Sequence, residues 1–221
     1  MARIAPLNPP YAPDIQAAFD AIMPAGVDPL VLFRTLAVNT RVYGRFHAGG
    51  LLDRGLLTMR QREIVIDRTC ALNRCEYEWG VHIAFFAAKV KFTPEQIGAT
   101  VHGGNAEWAE DERVLLDVCE ELDAARSISD DLWARLTCHF SSAQILEIIA
   151  LVGFYRTVSL YANALRLPLE PNAVRFPATP TGPAGPAPKL GEHTRQVLTA
   201  AGYAADEVDA LIAAGAASDA P

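Results

Sequence analysis

The chain has 221 residues, of which 51% are hydrophobic and 20% charged, and a formal net charge of -7. That length suits one domain of common size plus an appendage, with enough apolar material for a true core. The acidic balance, with 19 Lys and Arg dispersed and forming no basic stripe, excludes the electrostatic footprint of a nucleic-acid binder.

The opening residues, "MARIAPLNPPYAPDIQ", are broken by prolines and lack the apolar core of a secretory signal. No run suggests a membrane span, since "ILEIIALVGFY" is short and contains Glu147. Cys70, Cys75, Cys119 and Cys138 do not form the pattern of a disulfide scaffold, so a cytoplasmic location is expected.

Strand signals are nearly absent, and apolar residues recur at helical spacing between short Gly, Pro, Ser or Asp breaks. Residues 14–23 read as a first helix, ended by "PAG". Asp28 is placed to cap a second helix with Pro29 at its first position. A helical piece around "RVYGRFHAGGLLDRG" is interrupted at Gly49 and Gly50. Thr58 caps an amphipathic helix over "MRQREIVIDRTCALN", and Asn73 is the expected cap of the next, "RCEYEWGVHIAFFAAKV". Then come "TPEQIGAT", "AEDERVLLDVCEELDAAR" with acids in its first turn, and "SDDLWARLTCHF" capped by Ser129. "SSAQILEIIALVGFYRTVSLYANAL" is apolar on most sides and is expected to be the buried central helix. The expected organisation is an all-α helical domain over residues 1–167, a Pro-rich linker over 168–188, and a tail of two short helices over 189–221.

With Asn73 as cap, Cys75 falls in the first turn, where free amides and the positive helix end favour a thiolate. Glu78 and His82 follow at i+3 and i+7, so thiol, carboxylate and imidazole share one helix face. Glu63 joins them if the two helices fold into a hairpin at "ALNR". Such a group suits acid/base work, because burial and mutual charge separate pKa values. The bland readings are a core histidine, a small buried cysteine and an i,i+4 pair between Glu78 and His82 on a solvated face. A zinc site is not expected, because one straight helix spreads Cys75 and His82 over about 10 Å.

"REIVIDRTCALNRCEYEWGVHIAFFAAK" resembles the carboxymuconolactone decarboxylase and alkylhydroperoxidase D-like family, and the likeness extends loosely over residues 28–167. Its specific part is a Glu, a Cys twelve residues on and a His seven beyond, met by Glu63, Cys75 and His82. The resemblance implies an all-α bundle, an obligate oligomer such as a homotrimer or homohexamer, no cofactor, and Glu63, Cys75, Glu78 and His82 as catalytic residues. Its peroxidase branch uses a Cys-x-x-Cys pair, and here Glu78 stands at the second cysteine's place. Its decarboxylase branch carries Glu-x-x-x-His, which Glu78 and His82 match. Trp79, flanking the site helix, and His47, beside the glycine pair, are the candidate substrate-binding residues. The tail, "LGEHTRQVLTAAGYAADEVDALIAAGA", is similar to the C-terminal end of family III CoA-transferases, without that family's catalytic machinery.

The expected function is therefore a lyase-type acid/base enzyme acting on a small organic acid, lactone or related ring compound. His82 would shuttle the proton. The alternatives are a thiol-dependent peroxidase using Cys75, and a non-catalytic oligomeric binding protein whose polar trio faces solvent.

Overall fold

Side-chain caps in the sequence begin five of the eleven helices among the described residues. Thr58 accepts from the Gln61 amide while the Gln61 side chain accepts from the Thr58 amide; Thr93 with Gln96 and Ser141 with Gln144 repeat this box. Each such cap contributes about 1 kcal/mol by satisfying amides that the helix leaves free. The structure, a computed structural model, describes residues 2–24, 26–104, 106–178 and 191–219. Among the described residues there is no strand. The elements are α1 (Pro13–Asp20), α2 (Val31–Leu36), α3 (Thr40–Gly49), α4 (Met59–Leu72), α5 (Glu76–Phe86), α6 (Pro94–His102), α7 (Glu110–Ala125), α8 (Asp130–His139), α9 (Ser142–Leu165), α10 (Thr194–Ala200) and α11 (Ala205–Ala213).

The central helix is α4, not α9. Every residue from Glu63 to Cys70 is buried, because α4 packs against α5, α6, α7 and α9 on all sides. Ile64, Val65 and Ile66 are fully excluded from water, each worth about 1.5–3 kcal/mol of transfer free energy. By contrast α9 buries one stripe through Ile145, Ile148, Leu151 and Tyr155, while Leu146 and Leu160 are 69% and 62% exposed. Its all-round apolar composition suggested burial on every side, but its outer face is left exposed among the described residues. By length and composition α9 meets the criterion for a membrane span, contrary to the sequence reading, yet its inward stripe is part of the core.

Two helix starts differ from expectation, each for its own reason. Asp28 does not cap α2, which begins after Leu30. Its first amides are met from a distance: Glu170 accepts from Val31 N at 2.5 Å, and Tyr77 Oη accepts from Leu32 N at 3.0 Å. Likewise Asn73 ends α4 instead of starting α5. Arg74 adopts φ 53°, Arg74 N donates to Ala71 O, and Cys75 N donates to Cys70 O. These two bonds close a Schellman turn, so Cys75 finishes one helix and is the N-cap of the next. The turn folds α4 and α5 into the hairpin that the Glu63 register requires.

The helical unit runs to Pro177, ten residues beyond the boundary expected at Leu167, and Ala178–Pro221 form a second unit. Residues 168–177 are a strap laid across α5 rather than a linker. Val174 N donates to Gly80 O at 3.1 Å, Phe176 N donates to Glu76 at 2.9 Å, and Tyr77 bonds Glu170. The rest of the expected linker, 179–188, and tail residues 189, 190, 220 and 221 lie outside the described residues. In the second unit, Arg195 joins Asp209 and Asp219 at 2.7 Å each, and α11 buries Val208.

Gly80 is what lets the strap lie so close, since a Cβ there would stand 2.2 Å from Val174 O. Alanine is the better helix former by about 1 kcal/mol. The clash should nevertheless dominate, so Gly80→Ala is expected to lower unfolding free energy by about 1–3 kcal/mol and to speed tryptic cleavage at Arg175. Unchanged stability and unchanged protection would contradict the strap's close packing.

Candidate active site

The α4–α5 hairpin brings Glu63 and His82 together in the core, at 0% and 3% exposure. His82 Nδ1 donates to Glu63 Oε2 at 2.6 Å, and Arg62 donates to Glu63 Oε1 from Nε at 3.1 Å and from its terminal nitrogen at 3.0 Å. On the other side of the ring, His82 Nε2 faces Glu78 Oε1 at 3.5 Å. Phe86 stacks on the imidazole and Tyr155 meets it edge-on, with centroids 5.3 and 5.1 Å away. The ring is therefore fixed in plane by aromatics and in rotation by two carboxylates.

Burial is the largest single influence on His82 and disfavours its charge, but Glu63, by charge and hydrogen bond, and then Glu78 outweigh it. Its pKa is raised to about 10, so the ring is an imidazolium donating from both nitrogens at neutral pH. Asp67, one turn after Glu63 on α4, belongs to the same cluster and was missed by sequence reasoning. Burial holds its carboxyl well above the ordinary range; Glu63 and Glu78 add to this and His82 opposes it. Its i+4 spacing from Glu63 was the available signal, hidden within the run "EIVID".

Cys75 does not become the favoured thiolate that a first-turn position suggested. The backbone N–H groups of Glu78 and Tyr77 do reach its sulfur, but burial is stronger and pushes the thiol up to about 11. Cys70 is also raised, first by burial and then by Cys75. Among the described residues no His, Cys, Asp and Glu group is arranged to hold a metal ion.

Beside this cluster lies a cavity of about 580 Å³ between α3, α9 and the segment 50–53. Of the four expected catalytic residues, Glu78 alone lines it. His82 sits behind Glu78, and Glu63 behind His82. His47, a candidate substrate-binding residue, is on the cavity lining, with Tyr43 one helical turn before it. Trp79 does not. Its indole N–H donates to Thr100 at 2.9 Å, and its ring packs on Phe176 of the strap, because α5 turns that face away from the cavity. Glu78 Oε2 and the Tyr43 hydroxyl are both buried without a hydrogen-bond partner among the described residues. A buried carboxylate oxygen left unpaired beside a cavity is ready to accept a proton from whatever fills it.

The raised pKa has a signed consequence for stability. The charged His82 pair stabilises the fold fully below pH about 6.5, the ring's ordinary value, and loses that contribution as pH rises through about 10. Glu63→Gln should cost about 3 kcal/mol at pH 7 and flatten the decline of the urea midpoint between pH 7 and 10. Identical alkaline declines in both proteins would mean that His82 is neutral in the native state.

Residues 40–109, which include α3 to α6, match the Carboxymuconolactone decarboxylase family. No match was found among curated proteins. Among solved structures, an uncharacterized peroxidase-related protein from Silicibacter sp. TM1040 superposes with a TM-score of 0.69 at 20% identity, covering 80% of this chain and 96% of that one. The alkylhydroperoxidase AhpD core protein from Ralstonia eutropha JMP134, also described as peroxidase-related, gives 0.68 at 20%, covering 77% and 93%. The debrominase Bmp8 in complex with 2,3,4-tribromopyrrole gives 0.64 at 14%, covering 76% and 92%. At these identities the structures establish the fold, so the chain is AhpD-like in architecture and carries the carboxymuconolactone decarboxylase family pattern over residues 40–109.

Proposed function

We propose that the protein is a cofactor-independent acid/base enzyme of lyase type acting on a small ring compound, with Glu78 as the base. The observation that carries this reading is the unpaired Glu78 oxygen on the wall of the 580 Å³ cavity, backed by an imidazolium on its other oxygen. Glu78 Oε2 takes a proton from a substrate C–H, and the bonding pair stays on the substrate as an enolate-type anion. The proton then returns to a different atom, or the anion expels a leaving group. His82 faces the other Glu78 oxygen and orients the carboxylate, while Glu63 and Arg62 hold His82 in place. His82 is a positioning residue in this scheme, not the group that meets substrate.

A thiol reading retains one supporting observation: Cys70 and Cys75 both reach the Ser159 hydroxyl, so their sulfurs are neighbours. Against it, both thiols are fully buried and raised in pKa, which leaves little thiolate to attack a peroxide. A polar trio facing solvent would have supported the scaffold reading, whereas the cluster here is buried beside a cavity.

Neutral lactones and cyclic ketones in deuterium oxide provide the test, with protein-dependent deuterium uptake followed by proton NMR. Glu78→Gln should slow exchange by about 10²–10⁴-fold, and Cys75→Ser should leave it within a few fold. Dependence on Cys75 with indifference to Glu78 would transfer the function to the thiol.

A further inference from the structure

The cavity's side chains restrict the charge of what it can hold. Phe33, Phe46 and Phe154 supply aromatic walls, and the ionisable residues on the lining are Asp53, Glu78, Tyr43, Tyr155 and His47. Among the described lining residues none is lysine or arginine. Two cations behind the cavity wall are already engaged. Arg62 bonds Glu63 and the Leu52 carbonyl, and His82 lies between Glu63 and Glu78. Two carboxylates, one imidazolium and one guanidinium leave the Arg62–Glu63–His82–Glu78 row with no surplus positive charge. Among the described lining residues, a carboxylate ligand would meet Asp53 and Glu78 against one basic side chain, the exposed His47.

The unpaired atoms specify the ligand's polar groups. Tyr43 and Glu78 are 6% and 7% exposed, and each has a buried polar atom without a partner. Burial raises the Tyr43 pKa, so its hydroxyl stays protonated and offers a donor. Glu78 Oε2 offers an acceptor. Both unmet demands lie on one cavity, and both are satisfied together by a ligand that carries an acceptor and a proton-bearing group.

We infer that the site takes an uncharged, flat, largely apolar molecule with a carbonyl-type acceptor for Tyr43 and a proton-bearing group for Glu78, and that it discriminates against carboxylates. The inference rests on Glu78 as the base proposed above and narrows its substrates. Free organic acids, included in the sequence expectation, are disfavoured, and lactones or other neutral carbonyl compounds are retained. In the proton-transfer step Tyr43 donates to the oxygen on which the enolate charge collects, so its hydrogen bond strengthens as the C–H bond breaks.

The test uses two probes of one shape, 2-naphthamide and 2-naphthoate, titrated into the full chain at pH 7.5 with dissociation constants read by calorimetry. The amide has the acceptor and donor that the cavity lacks; the carboxylate has acceptors only and a negative charge. The amide should bind at least about tenfold more tightly. Tyr43→Phe should weaken the amide by roughly threefold to tenfold. Glu78→Gln, which removes the resident charge, should improve naphthoate relative to the amide. The inference is overturned if naphthoate binds as well as the amide, if neither binds at 1 mM, or if Tyr43→Phe leaves amide binding unchanged. Because binding is read without turnover, the two claims separate. Naphthoate preference with exchange still dependent on Glu78 removes the substrate class and leaves the base. Amide preference with exchange indifferent to Glu78 removes the base and leaves the cavity's selectivity.

Discussion

A glutamate and a histidine hydrogen-bonded at 2.6 Å, both cut off from water, set the terms for the whole site. Burying such a pair costs several kcal/mol per ion before any attraction is counted, so it is a weak source of net stability. Its geometry is the gain. Glu63 comes from α4 and His82 from α5, so the bond holds only in one register of that hairpin. The Schellman turn through Arg74 provides that register from the backbone side. Arg62 then neutralises the outer oxygen of Glu63, and Phe86 and Tyr155 hold the ring's plane.

From that anchor the polar groups form layers of decreasing depth. Asp67 and Glu63 lie on the central helix, His82 stands between them and Glu78, and Glu78 reaches the cavity. The imidazolium faces one Glu78 oxygen and leaves the other unpaired on the cavity side. The strap over residues 168–177 acts at the opposite face of α5. It meets the first amide of α2 through Glu170 and closes against Gly80, so that α5 is covered on the side away from the cavity. Trp79 belongs to that face, which is why an aromatic next to Glu78 in sequence takes no part in the cavity.

Much of this was legible before the structure. The spacing of Glu63, Cys75, Glu78 and His82 was in the residues, and the caps at Thr58 and Ser129 fixed where two helices start. Periodicity also separated the helices from one another well enough to give the all-α class. What failed were properties set by contacts distant in sequence. Asp28 lost its capping role to Glu170 and Tyr77, some 140 and 50 residues away. The thiol of Cys75 was judged by its helix terminus, although burial in the assembled core outweighs that terminus. Prolines after Leu167 suggested a free linker, yet the first ten residues there dock on α5 through Gly80, Glu76 and Tyr77. Asp67 went unnoticed although its i+4 spacing from Glu63 was there to read, because its charge partners on α5 come near only once that helix is folded against α4.

The central claim is the charge on His82, since a neutral ring would leave Glu78 without its backing cation. Ring nitrogen and carbon shifts of His82, followed by NMR from pH 5 to 10.5 in uniformly labelled protein, report it directly. A ring that keeps both N–H groups at pH 8 and titrates near pH 10 supports the account. A ring that loses a proton near pH 6.5, the ordinary histidine value, would contradict it.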